Sequence, residues 1–380
     1  MNIIFGIIFF LCQPLIWLGI IINLVKKNRR LKYERVHFRS LINSNYSENK
    51  IFIFSFLMFG IVGSLISYFL VLKLSVPIIL ICEAIAIVVL LIPYNLFASF
   101  AIFIPIMLFL IFDLFVTKTS YHFNFVNSFS LIDSNSLLLL ITLFILFTGI
   151  FLYFNRNAIT PKIKINRRGN RFSGLEFNNF TIFPLLLFIP SNVLGDFISV
   201  VPSIDIGGHK FTMILFPVLI GFKLISFKFL TNEILKRYAK QLIVLAGLGI
   251  VFLIVGKFYS PILIPAIIIM ICLYIFTYYQ LKGKNYANPA YIEEAIDGVR
   301  IVAIRPNTPA AKMKLKPGDL IREVNGMIVK NDDDMYKALQ LNPTYCHLKI
   351  QTRKERLEIK ETAIFSDSPH EIGIVMFNNK

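Results

Sequence analysis

From residue 1 to about 280 the chain repeats apolar runs of roughly 17 to 22 residues, separated by short polar pieces. About 20 apolar residues at 1.5 Å rise cover the ~30 Å hydrocarbon core of a bilayer as a helix. The runs predict spans near 3–25, 51–72, 75–92, 95–116, 135–154, 181–202, 211–228, 241–257 and 261–279. After Tyr279 no such run recurs. Charged residues make up only 16% of the chain, against about 25% in soluble domains. The expected fold is an α-helical polytopic membrane domain of about nine transmembrane helices over 1–280, a linker over 281–291 and a small α+β domain over 292–380.

Charge is as uneven as hydropathy. The net charge is +17, yet residues 1–284 hold 25 Lys/Arg against 9 Asp/Glu, whereas 285–380 hold 14 against 13. A basic excess of this size can signal nucleic-acid binding. Here it sits in loops between apolar runs, where positive charge orients a membrane protein, so no nucleic-acid partner is expected. Segment 26–50 carries eight Lys/Arg, 155–180 carries six and 228–240 carries four, whereas Lys73, Lys118, Lys210 and Lys257 stand alone in their loops. The three basic segments are separated by even numbers of predicted spans. That parity places the N-terminus outside the cell and the C-terminal domain in the cytoplasm, with the whole chain in the cell membrane. The first run has its basic residues after it, the reverse of a cleaved signal peptide, and is expected to remain as a helix.

The chemistry-bearing residues are few. Cys12, Cys82, Cys272 and Cys346 show no paired spacing, so neither a zinc site nor a disulfide framework is expected. Within the spans, Glu83 lies near a predicted centre, and Pro190 to Asp196 combines a helix breaker, small polar groups and a carboxylate. Such a stretch fits either a broken transporter helix or a kink whose polar groups bond to neighbouring helices.

At Gly298 the pattern changes. Val299 to Ile304 has the composition of a strand. Thr308 before Pro309 is a helix start, and Asn325-Gly326 is a hairpin turn. The run Thr308-Pro309-Ala310-Ala311, then Leu315-Lys316-Pro317-Gly318-Asp319-Leu320-Ile321, then Val324-Asn325-Gly326, resembles the signature of bacterial PDZ domains. Lys314 departs from it, standing where the family has Gly, which implies a helix end without the left-handed Gly, a local change that leaves the fold intact.

The resemblance implies a circularly permuted domain whose ligand loop falls late in the chain. His370-Glu371-Ile372-Gly373-Ile374-Val375 is similar to that loop and its strand, and the open edge of Ile374–Phe377 would accept a peptide strand. The facing wall is expected from the helix 332–341, with Asp332, Tyr336 and Leu339 on one side. The expected peptide-binding residues are therefore Glu371, Ile372, Gly373, Ile374, Val375, Asp332, Tyr336 and Leu339, with no catalytic or metal-binding residue and no cofactor. Free C-termini and internal segments both stay open as ligands, and Asp332 to Asp334 at the groove's lip would disfavour acidic ones.

Hydrolytic readings lack their residues. The one His-Glu pair, His370-Glu371, is not followed by the second His of a zinc protease helix, and no phosphate-binding loop is present. The combination of a many-helix membrane domain and one cytoplasmic PDZ domain is similar to the MinJ family of Gram-positive bacteria. That resemblance implies a non-enzymatic scaffold in division-site placement, linking DivIVA to MinD, enriched at septum or poles. The alternatives are a transporter or channel with a regulatory PDZ tail, and an accessory subunit of a membrane protease or cell-wall hydrolase.

Overall fold

The structure is a computed structural model. It describes residues 2–377 except 39, 93–97, 120–132, 168, 191–202, 207–208, 284–290, 296, 343, 354 and 365–371. The membrane part opens with α1 (Asn2–Cys12) and α2 (Pro14–Phe38), which meet at a 53° bend. Pro14 has no N–H to continue the helix. Then follow α3 (Ser47–Leu70), α4 (Val76–Leu91), α5 (Phe103–Thr119) and α6 (Ser134–Asn155). After α6 come four strands, β1 (Thr160–Ile165), β2 (Arg171–Pro190), β3 (Ser203–Ile206) and β4 (His209–Ser226), then α7 (Thr231–Phe258) and α8 (Leu263–Gly283).

Two expectations are corrected here. Among the described residues four helices are long and apolar enough to cross a membrane, or five if the bent pair is one span, not nine. The runs expected as helices at 181–202 and 211–228 are instead largely the long antiparallel strands β2 and β4, paired from Leu175↔Ser226 to Pro190↔Phe211. Continuous apolar runs do not distinguish a buried strand from a buried helix. The discriminating signal was proline: Pro184, Pro190 and Pro217 fall inside these runs, and Pro184 lies opposite Pro217 in the ladder. Proline breaks a helix interior but is tolerated where a strand's N–H would point away from its partner. The expected spans 75–92 and 95–116 correspond to α4, only 16 residues long, and to α5, which starts at Phe103.

A sheet edge cannot remain unpaired in hydrocarbon, and α3 closes this one. Ser64 Oγ donates to Pro184 O at 3.3 Å, and Ser67 Oγ donates to Leu186 O. Leu74 N then donates to Phe188 O at 3.1 Å, and Phe188 N to Leu72 O at 2.9 Å. These even-numbered residues share the outward edge of β2. On the hairpin's other edge Gln13 Nε2, at the α1/α2 break, donates to Leu215 O at 3.1 Å. Helix α6 is the centre of the core, with Leu137 to Leu152 almost wholly buried. By contrast α3 and α7 expose Phe54, Leu57, Ile61, Val244, Val251 and Phe258. Such a continuous apolar exterior fits lipid rather than water. Glu83 on α4 lies near Leu15 in the first turn of α2, where orphan N–H groups are available, and its Oε1 is buried without a hydrogen-bond partner among the described residues. The side chain of Asp113 and all of Asp196 lie outside what the structure describes.

The basic segments meet at one end of this domain. Asn43 Nδ2 donates to Ile159 O at 3.0 Å, Ile163 N to Tyr33 Oη at 2.9 Å, and Thr231 Oγ1 to Leu175 O at 2.7 Å.

The C-terminal domain comprises β5 (Ile292–Glu293), β6 (Val299–Arg300), β7 (Ala303–Ile304), α9 (Pro309–Lys312), β8 (Leu320–Val324), β9 (Met327–Ile328), α10 (Asp332–Gln340), β10 (Tyr345–Gln351), β11 (Leu357–Ala363) and β12 (Ile374–Val375). Its sheet runs β11-β10-β8-β6, with β9 on β8, and β12 pairs with β7 in a separate ribbon. The run expected as one strand over 299–304 is thus split between the two. Around Ile301, Val324, Ala338 and Leu348 the domain has its own core. It also rests on the membrane part. Val302, Ala303, Val375 and Phe377 pack with Phe38, Ile42 and Leu175, β5 pairs with the outer end of β2, and Arg171 Nε binds Glu294 Oε2 at 2.9 Å.

Candidate peptide-binding site

The hairpin turn and the helix start of the C-terminal domain fix the backbone around the expected groove. Asn325 (φ 49°) and Gly326 (φ 85°) are both left-handed, the conformation that Asn-Gly suits best. Asn325 also clamps the domain: its Nδ2 donates to Ala338 O at 3.0 Å, and its Oδ1 accepts from His347 N at 2.9 Å. The sequence motif was legible as a turn, but not as the tie that holds α10 to the sheet.

Helix α9 begins at Pro309 as expected, but Thr308 does not cap it. Its Oγ1 donates backward to Arg305 O at 2.7 Å. Lys314, in place of the family's Gly, itself adopts the left-handed conformation at φ 56°. Asp319 is buried, and its Oδ2 accepts from Lys316 N at 3.0 Å. Burial raises its pKa above the usual carboxylate range, against the opposing pull of that N–H.

Gly373 sits at φ 89°, and a Cβ there would lie 2.2 Å from Thr308 Oγ1. Only glycine lets the loop lie this close to the turn at Thr308. Ala310 N donates to Ile372 O at 3.0 Å, and Arg305 N to Gly373 O at 2.9 Å. Val302 N donates to Val375 O at 2.8 Å. The carbonyls of Gly373 and Val375 are therefore turned to β7. Antiparallel alternation then turns the N–H and C=O of Ile374 to the opposite edge. Among the described residues no backbone partner occupies that edge at Ile374.

Of the expected site residues, Ile372 is buried in the domain core, and Ile374 packs on the same core together with Leu339 of α10. Tyr336, one turn before Leu339, is 65% exposed. Helix α10 buries Met335 and Ala338, so Leu339 and Tyr336 flank its core face. Val375 does not line the groove. Its side chain packs toward Phe38 and Ile42, and its backbone is engaged by β7. Asp332 opens α10, and Glu371 and His370 lie outside the described residues. Residues missed by sequence reasoning are Arg305 and Met376. Arg305 Nε anchors the loop side to Leu41 O at 2.5 Å, and Met376 packs with Ile374 against the domain core.

A PDZ domain family model matches residues 300–352. The cell division topological determinant MinJ of Bacillus subtilis (strain 168) is 28% identical over 373 residues, which cover 96% of this chain and 92% of that one. MinJ relatives from Lacticaseibacillus paracasei and from Lacticaseibacillus casei (strain BD-II) are 27% identical over 223 residues, 57% of this chain and 58% of theirs. The solved PDZ domain of an SdrC-like protein from Listeria innocua aligns with 22% of this chain and 98% of its own at 22% identity, but its TM-score of 0.19 leaves it without weight for the fold. The chain carries a PDZ domain in its C-terminal part and is similar, along nearly its whole length, to the MinJ cell division topological determinants.

Proposed function

We infer that the chain is a non-enzymatic adaptor that holds a PDZ groove at the inner face of the cell membrane and recruits protein partners there. The carrying observation is the edge of β12, where Ile374 turns its N–H and C=O away from β7 beside Leu339 and Tyr336. An extended peptide can add to such an edge as a further strand. Confinement to the membrane raises the groove's effective concentration toward other membrane-bound clients, so a modest affinity suffices.

Sidedness follows from charge. Replacing two expected helices by two strands of one hairpin keeps the parity of crossings, and the three basic segments lie together with the C-terminal domain. The positive-inside rule then assigns this end to the cytoplasm and the N-terminus to the outside. The MinJ relatives are named for cell division topology. A role in division-site placement, with enrichment at septum or poles and with DivIVA and MinD as clients, is the corresponding proposal for this chain. The exposed basic residues near the membrane add attraction to anionic lipid, at about 1 kcal/mol per residue close to the surface.

The test is crosslinked capture of clients by the intact protein, by a form lacking 285–380 and by Ile374→Pro. Proline at 374 removes the outward donor while leaving the Arg305–Gly373 bond to β7. Clients captured by the intact protein should be lost in both altered forms. Equal capture by all three would remove the groove from the mechanism, and a reporter after Lys380 found outside the cell would reverse the topology.

A further inference from the structure

A cavity of about 350 Å³ opens where the basic segments meet, bounded by Lys26, Arg29, Arg30, Lys162, Lys223, Glu48 and Glu176. That volume falls within the roughly 300–1,000 Å³ of small-ligand sites. Five cations face two carboxylates, an excess of three; the buried Glu34, which holds Arg30 from behind, lowers it to two.

The charges are not evenly matched. Arg30 is fully engaged, with Nh1 on Glu34 at 2.9 Å and Nh2 on Glu48 at 3.0 Å. Glu176 faces two ammonium groups, Lys162 at 3.6 Å and Lys223 at 3.5 Å. Lys26 has no carboxylate within ion-pair distance among the described residues. Its Nζ donates to Asn178 Oδ1 at 2.9 Å and lies 4.6 Å from the centre of the Phe180 ring. An ammonium so placed, half-withdrawn from water beside a shared carboxylate, favours an anion in the cavity.

Depth identifies the source of the anion. On α2 the run of exposed apolar residues Ile20, Ile21, Leu24 and Val25 stops directly before Lys26, and beyond it Val36 stands exposed by itself among charged residues. On α3 the exposed apolar face begins at Ile53 and Phe54, one turn beyond the lining residues Ser47 and Glu48. The cavity thus lies at the boundary between the lipid-facing band and the polar end, the depth of the lipid phosphates.

We propose that this cavity binds the phosphate of an anionic phospholipid headgroup, with Lys26, Lys162 and Lys223 as its donors. The inference is independent of the PDZ groove. Native mass spectrometry of the full chain in detergent tests it, with short-chain phosphatidylglycerol, phosphatidylcholine or inorganic phosphate added. Phosphatidylglycerol should be retained in preference to phosphatidylcholine and should survive an equal concentration of inorganic phosphate. Loss of one charged donor weakens such a site roughly tenfold, so Lys26→Gln should lower retention by about that factor, while Lys26→Arg and the distant Lys240→Gln keep it. Equal retention of both lipids, or unchanged retention in Lys26→Gln, overturns the proposal. Displacement by inorganic phosphate also overturns it, in favour of a soluble phosphate. If Lys26→Gln does not fold, the headgroup competition in the unaltered chain decides by the same outcomes.

Discussion

Gly60 of α3 lies against Pro184 of β2 so closely that a Cβ on Gly60 would sit 2.8 Å from Pro184 Cγ. This contact brings the helix near enough for Ser64 and Ser67 to reach the strand's outward carbonyls. Small residues are what allow backbones to approach inside a membrane, and the hydroxyls replace the water that is absent there.

Gly60→Ala should therefore destabilise the membrane domain, although alanine favours helix. Overpacking of this kind costs about 1–3 kcal/mol. Gly247 of α7 has nothing within 4 Å of an added Cβ, so Gly247→Ala is the matched control. Thermal unfolding in detergent should show a lowered midpoint for the first variant and an unchanged or raised one for the second. The same midpoint in both would mean that the helix and strand do not meet at this position.

Lys314 holds a left-handed backbone that glycine adopts freely. That conformation costs a non-glycine residue roughly 1–2 kcal/mol, partly offset by the greater unfolded-state freedom of glycine. Lys314→Gly should raise the unfolding midpoint of the C-terminal domain with groove binding unchanged. A lowered midpoint would show that the side chain contributes more than the strain removes.

Burial holds the Asp319 pKa above its ordinary value, so the folded state binds this proton more tightly than the unfolded chain. The contribution to stability is complete below the unfolded carboxylate pKa and is lost as pH rises through the folded one. Asp319→Asn keeps an acceptor for Lys316 N without the ionisation. Across melts from weakly acidic to neutral pH, the variant should gain on the unaltered protein as pH rises through that window. A constant difference at every pH would rule out this carboxyl as the source.

The two halves of the chain differed in how openly their sequences showed the fold. In the C-terminal domain, the turn at Asn325-Gly326, the helix start at Pro309 and the strand Leu320–Val324 were all visible, because each is specified by neighbouring residues. Lys314 did not reveal its conformation, for the opposite reason: the surrounding turn imposes one that the residue itself disfavours. Ile374 and Leu339 were expected near each other and do pack on one core, but Val375 could not be assigned to the far side, since Phe38 and Ile42 lie more than 300 positions away.

For the membrane part, hydropathy and the order of charges pointed to a bilayer as the solvent and to basic segments that gather at one end. Both properties are averages over a run and survive any exchange of helix for strand. Whether Phe177–Ile189 would coil or extend was decided only in three dimensions. A buried apolar run has no polar face to reveal its period, and extension is stable only because Ser64, Ser67, Leu72, Leu74 and Gln13 arrive from distant segments to complete the hydrogen bonds of the hairpin's edges.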